Sequence, residues 1–239
     1  MRKHRGLAPE DSIFFESERI PLLQKAVCDL SWLLSRGYAP KASTSLVGNH
    51  YQLTERERLA LVHAASDGKA RKAAQTAEAL KGKSLCIDGF NLLITLEAAL
   101  GGGIVLLGMD GCYRDVANLH GSYSLRAETE SAIELTGDAI GALKVEDALW
   151  LFDRPVSNSG RLARLVNDIA AKLQVPMHAK TADQVDTKVK TCGRIAVTAD
   201  SAILASGTEW FNLPAWLIEH RIPSANVVDL RSGNDCKEE

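Results

Sequence analysis

A chain of 239 residues with 46% hydrophobic content is long enough for one large domain or two modest ones, with ample apolar residues for a core. No apolar run approaches the roughly 20 residues that span a bilayer, and Met1-Arg2-Lys3-His4-Arg5 leads into charge, so the expectation is a cytoplasmic protein without a membrane segment. The net charge of −2 hides an asymmetry: residues 1–83 hold 14 Lys and Arg against 9 Asp and Glu, and residues 84–239 hold 14 against 21. A basic front suits contact with a polyanion and an acidic back suits a carboxylate cluster holding cations, though a solvated surface gives similar counts.

In chain order, Ile20–Arg36 carries apolar residues at helical spacing and stops near Gly37. A loop is expected over Pro40, Ser43, Thr44 and Ser45. Thr54 with Glu57 then forms a capping box that opens a helix toward Ala65. Lys69-Ala70-Arg71-Lys72 enters a third helical run ending near Leu80, which makes residues 1–83 an all-helical unit. From residue 84 to 239 the pattern changes to short apolar strands (Ser84–Ile87, Ala148–Phe152, Val175–His178, Ile195–Thr198, Asn226–Val228) separated by amphipathic helices. That alternation predicts α/β architecture with β-α-β crossovers and a parallel sheet. Residues 101–127, opening on Gly101-Gly102-Gly103, read as an inserted hairpin or ordered loop. The five cysteines are odd in number and contain no C-x-x-C pair, so reduced thiols are expected, with Cys86 and Cys192 as small buried hydrophobes. All four tryptophans fall in apolar runs, and core packing is expected of them.

Ligands bind open parallel sheets at the carboxyl ends of the strands. Three of the predicted strands end on an acid, namely Asp88, Asp153 and Asp200, and Asp183 and Asp186 lie in the connection after a fourth. Any one of these acids alone is as readily a helix N-cap. Several on one edge repel unless neutralised, and hard oxygen ligands select Mg²⁺ or Mn²⁺ over zinc. Such ions suit in-line hydrolysis of a phosphodiester. Other chemistries lack their residues: position 90 is Phe where a dehalogenase-type phosphatase needs Asp, and G-x-G-x-x-G and G-x-S-x-G are absent. Gly82-Lys83-Ser84 lacks the earlier glycine of a P-loop and precedes its strand.

Ile87-Asp88-Gly89-Phe90-Asn91 resembles the opening motif of the NYN branch of PIN-like nucleases, and Val197-Thr198-Ala199-Asp200-Ser201 resembles that branch's later strand end. The resemblance implies a three-layer α/β/α PIN-like domain behind the helical one. It further implies Asp88, Asp183 or Asp186, and Asp200 as metal ligands, Asn91 orienting the first loop, Thr198 or Ser201 supporting Asp200, and RNA as the substrate. The chain as a whole also resembles a prokaryotic family that joins a DUF434 helical domain to a DUF5616 domain, through Leu34–Tyr38, Asp88–Asn91, Asp110-Gly111, Arg114-Asp115 and Pro155–Arg161. Asp153 and the loop after it are not a general PIN feature. Glu97 is either a supporting acid or a solvated helix charge, the latter being favoured.

Ser157, Asn158, Ser159 and Gly160 crowd a helix entrance beside Asp153, which reads as a phosphate seat with Arg161 as charge partner, in preference to a self-capping loop. Arg114, in an insertion with His120, reads equally as a cation for the scissile phosphate and as half of a surface ion pair; His120 by default is structural. Arg36, Lys41, Arg56, Arg58, Lys69, Arg71 and Lys72 are expected to gather RNA backbone. The resulting expectation is a Mg²⁺- or Mn²⁺-dependent ribonuclease with Asp88, Asp153, Asp186 and Asp200 as catalytic acids. A non-catalytic RNA-binding protein and a small-nucleotide phosphohydrolase are the alternatives, and the oligomeric state is open.

Overall fold

The computed structural model describes residues 2–69, 71–116 and 122–231; His120 and Cys236 lie outside the described residues. Four helices come first: α1 (Asp11–Phe14), α2 (Ile20–Ser35), α3 (Pro40–His50) and α4 (Glu55–Ala64). The helical stripe of α2 buries Leu23, Ala26, Val27 and Leu30. α3 replaces the expected loop. Its proline sits in the first turn, where a missing N–H costs nothing, so residues that read as turn formers continue as helix. Thr54 caps α4 as expected, its side chain accepting from Glu57 N while Glu57 Oε2 accepts from Thr54 N at 2.8 Å.

The expected third helix from Lys69 is reduced to a 3₁₀ turn, Glu78–Leu80. Its backbone is bonded elsewhere. Gln75 N donates to Trp210 O at 2.8 Å and Trp210 Nε1 donates to Lys72 O at 2.7 Å, so tertiary hydrogen bonds override a local helical preference.

The rest of the chain alternates strands and helices: β1 (Ser84–Asp88), α5 (Gly89–Gly101), β2 (Ile104–Leu107), β3 (Tyr113–Asp115), α6 (Thr129–Ala142), β4 (Asp147–Asp153) and α7 (Ser159–Leu173). β5 (Met177–Ala182), α8 (Val185–Thr191), β6 (Ile195–Val197), α9 (Ser201–Leu204), α10 (Leu213–Arg221) and β7 (Asn226–Asp229) complete it. The parallel sheet has the order β5-β4-β1-β6. Successive side chains face opposite layers, as the pleat requires. Leu85, Ile87, Trp150, Phe152 and Val197 join the large core under α5, α6, α7 and α10; Cys86, Leu149, Leu151 and Ala196 join a smaller one with residues of α8 and α9.

β7 was expected in that sheet and is instead paired with β2, in parallel, forming a second sheet of order β3-β2-β7. The ambiguous insertion thus begins as a hairpin, β2 antiparallel to β3. Val105 and Leu107 face the large core, while Ile104, Leu106, Val228 and Leu230 share a core with Leu23, Val27, Leu30 and Leu61. The front helices therefore pack on one face of the second sheet.

The N-terminal arm lies across the far end of α5. A Cβ on Gly101 or Gly103 would stand 2.7 or 2.8 Å from the Arg5 carbonyl oxygen, so the glycine run is where the arm's backbone comes closest. Glu97 is fully buried rather than solvated: Arg5 Nε donates to it at 2.9 Å, Thr129 Oγ1 at 2.6 Å, and Tyr123 Oη also donates. Trp150 and Trp210 are core residues as expected, whereas Trp32 is half exposed with the Arg36 guanidinium 4.2 Å above its ring. Cys86, Cys112 and Cys192 are free thiols; Cys28 is disulfide-bonded, against the expectation of reduced thiols throughout.

Candidate active site at the carboxyl edge of the parallel sheet

β1 ends on Asp88 because its apolar run ends there, and the next residue must be small. A Cβ on Gly89 would lie 2.5 Å from the Phe152 ring and 2.9 Å from the Leu151 carbonyl oxygen. The chain turns straight into α5, with Asp88 as N-cap: its Oδ1 accepts from Asn91 N at 3.3 Å. Its Oδ2 accepts from Thr198 Oγ1 at 3.2 Å. Thr198 Oγ1 in turn accepts from Asp200 N at 3.1 Å, and Asn91 Oδ1 accepts from Ala199 N at 2.9 Å. The Asp88–Asn91 and Thr198–Asp200 segments, more than a hundred residues apart in sequence, are thus bonded to each other directly.

Their position follows from topology. β4 and β5 extend the sheet to one side of β1 and β6 joins on the other, so the strand order reverses between β1 and β6. A crevice opens at the carboxyl ends beside such a reversal. A cavity of about 460 Å³ is found there, lined by Asp88, Asn91, Asp200 and Ser201 from the sheet edge and by Val62, His63 and Arg114 from outside it.

Asp88 is 8% exposed. Burial pushes its pKa up to about 7; the Asn91 hydrogen bond works against this, and the charges of Asp186 and Asp153 add to it. Asp153, at the end of β4, is also raised, first by burial and then by Asp186. Asp88 and Asp153 thus both feel the charge of Asp186. Asp183 is apart from them, an exposed partner of Arg154 at 3.1 Å. Asp200 lines the cavity, and its Oδ1 caps α9 by accepting from Ala202 N and Ile203 N at 2.7 and 2.9 Å.

Among the described residues, no three His, Cys, Asp or Glu side chains converge as a closed metal cluster. The arrangement is open. Carboxylates of like charge at one edge suit a hard divalent cation, and Mg²⁺ binds through one or two carboxylates while keeping waters in its other positions. Asp88 with Asp153 or Asp186 would be the residues to hold it.

The other expected substrate contacts are placed differently. Arg114 spends all five N–H groups within the protein: on Asp110 Oδ1 and Oδ2 at 3.0 and 2.6 Å, on Ala199 O at 3.0 and 2.5 Å, and on His63 O at 3.0 Å. It is a tie between α4, the insertion and the loop after β6, and holds no donor free for a phosphate. Ser157 exchanges hydrogen bonds with Tyr123 N and O, Asn158 Nδ2 donates to Tyr123 O at 2.7 Å, and Ser159 Oγ donates to Arg154 O at 3.3 Å. These side chains fasten the end of the insertion, leaving exposed Arg161 as the charge near that helix entrance. Arg56 is forked onto Asp11, and Arg58 bonds Leu53 O and Asn49.

His63 lines the cavity and was not anticipated. Its Nδ1 lies 2.8 Å from the Asp115 carbonyl oxygen; a carbonyl only accepts, so Nδ1 carries a proton. Nothing near His63 in sequence signals this, because α4 reaches the cavity through its packing on β2 and its hydrogen bonds to Arg114 and Asp115.

Fold and site together define an α/β protein whose parallel sheet carries interacting acids at its carboxyl edge. Residues 77–216 match the family described as a domain of unknown function, DUF5616, and residues 22–76 match the protein of unknown function family DUF434. The chain belongs to the DUF5616 family. It is 29% identical over 188 residues to an uncharacterized protein of Methanocaldococcus jannaschii, covering 77% of this chain and 89% of that one. No solved structure matches the chain.

Proposed function

We propose that the protein is a divalent-metal-dependent nuclease of PIN-like type, acting on RNA. The observation that carries this reading is Asp88: a nearly buried acid at a topological switch point, flanked by acids rather than cations, and bonded to the second motif of the family it resembles. The sheet order supports it too, since β5-β4-β1-β6 is the doubly wound 3-2-1-4 order when that sheet's strands are counted alone.

In this reading Asp88, with Asp153 or Asp186, would supply oxygens to Mg²⁺ or Mn²⁺, and Asn91 and Thr198 hold Asp88 in place. A bound ion would acidify a coordinated water and offset charge on the phosphate oxygens. Asp200 and Arg114 fix the loop after β6 that forms the facing wall. The RNA preference rests on the resemblance alone.

Asp88→Asn is expected to lower metal-dependent RNA cleavage by a factor of 1,000 or more, a loss of about 4 kcal/mol of transition-state stabilisation, with the fold unchanged by circular dichroism. Undiminished cleavage would overturn the assignment. The open spacing of the acids favours, as a second reading, a binding protein that retains the scaffold without hydrolysis. Calorimetric titration with Mn²⁺ separates the two, since silence across millimolar metal supports the second.

A further inference from the structure

Arg71 is a buried cation with an incomplete set of bonds. Its side chain is 11% exposed, and its Nη1 donates to Asp110 Oδ2 at 2.6 Å. Its Nε and Nη2 are buried and have no hydrogen-bond partner among the described residues. Those two atoms form one edge of the guanidinium, the fork that grips two oxygens of a phosphate or carboxylate at once. A donor pair left unmade in a buried place calls for an acceptor.

The surrounding charge points to an anion. Asp110 is the acid bonded to Arg71, and Arg114 already holds both of its oxygens. Burial works to raise the Asp110 pKa, but the two guanidiniums outweigh it and hold it below the ordinary value. Asp110 therefore serves two arginines, with Asp200 also acting on Arg114, so Arg71 shares its acid partner. Asp67 is close enough to interact with Arg71 but is paired with Lys69 at 2.8 Å. Arg71 and Asp110 line a cavity of about 490 Å³ together with Ser66, Lys69, Lys72 and Trp210. Lys72 is exposed and also lines the cavity, and it is its backbone carbonyl that Trp210 engages.

We propose that this cavity is a phosphate-binding subsite, in which the Nε and Nη2 edge of Arg71 takes two phosphate oxygens and Lys72 adds charge. The subsite does not depend on the nuclease reading, because it uses no metal and none of the acids at the sheet edge. The phosphate belongs either to a small free ligand or to a nucleic-acid backbone, and the same chemistry serves both.

The test is calorimetry on the full chain at low salt with chelator present. The probes are inorganic phosphate, adenosine 5′-monophosphate and a short single-stranded oligoribonucleotide, with glutamate as a carboxylate control. At least one phosphate probe is expected to bind more tightly than glutamate. Arg71→Gln should weaken it tenfold or more and Lys72→Gln about threefold, while Lys172→Gln on α7 leaves it unchanged. Arg71→Gln also removes a bond to buried Asp110; if it fails to fold, Lys72→Gln against Lys172→Gln decides. Binding of phosphate or the mononucleotide identifies a free ligand, and binding of the oligonucleotide alone identifies a backbone. The proposal is overturned if no phosphate probe titrates at millimolar concentration, if glutamate binds equally well, or if Lys72→Gln and Lys172→Gln behave alike.

Discussion

Helix α5 has a buried acid near each end, and the two ends treat it in opposite ways. Near its carboxyl end, Glu97 meets Arg5 at 2.9 Å and the hydroxyls of Thr129 and Tyr123. Beside it, Glu128 accepts from Arg5 N at 3.2 Å with His4 Nδ1 2.6 Å away, and Arg2 pairs with Glu130 at 2.6 Å. The N-terminal arm supplies a partner for each of these acids. At the amino end, Asp88 has neighbours of its own sign in Asp186 and Asp153. A cluster kept for stability carries its counter-charges within the chain, whereas a cluster kept for a ligand leaves them to the ligand.

The comparison breaks if removing Glu97 is harmless. Glu97→Ala leaves Arg5 and two hydroxyls facing a void in a buried place, and should cost about 3–5 kcal/mol in urea denaturation. Metal titration of the folded variant should be unchanged. A loss below about 1 kcal/mol would mean that the arm is only laid against α5.

Asp88→Asn should act in the opposite direction on the metal-free protein. The folded pKa is about 7 against an ordinary value of 3.8, so the folded state keeps a proton that the unfolded chain gives up as pH rises through that interval. Stability contributed by this group therefore falls between about pH 4 and pH 7 and is level above, a total of roughly 4 kcal/mol at most. With chelator present, the Asn variant should be more stable than the parent by about 2–4 kcal/mol at pH 8, and by little at pH 4. Equal stability at both values would place Asp88 among ordinary solvated acids.

A divalent ion should relieve the same strain. At a hundred times its dissociation constant, Mn²⁺ should add about 2.7 kcal/mol, which is several degrees of melting temperature for a chain of this size. Because the ion competes with the Asp88 proton, the shift should fade below about pH 6 and vanish in Asp88→Asn. A shift independent of both would put the ion elsewhere.

Much of the sheet edge was legible in the sequence because buried parallel strands read as continuous apolar runs; Asp88 and Asp153 mark where two of them stop, and Asp200 follows the end of β6 at Val197 by three residues. The second sheet was not. Tyr113–Asp115 is too short to signal itself, and β2 pairs with β7 from the far end of the chain, a partnership that no local pattern encodes. Pro40 and three nearby hydroxyl residues hid a helix, and the stretch after Lys69 that looked helical has its backbone bonded to Trp210. At the site, Asp88, Asn91, Thr198 and Asp200 were adjacent to strand ends and could be named. Neither the Arg114 tie nor the place of His63 could, since both depend on how α4 docks.

Asp183 and Asp186 are three residues apart, and spacing alone left either as the acid of the site. They offer the finest test of the comparison. Asp183 shares an exposed ion pair with Arg154, both side chains about 60% exposed, and such pairs are worth little. Asp186 is the charge that both Asp88 and Asp153 feel. Asp186→Asn should weaken Mn²⁺ binding about tenfold, read by calorimetry. Asp183→Asn should change it less than twofold and alter stability by under about 0.5 kcal/mol. Equal losses of affinity in the two variants would mean that net charge at this edge, rather than the facing of particular acids, governs what it holds.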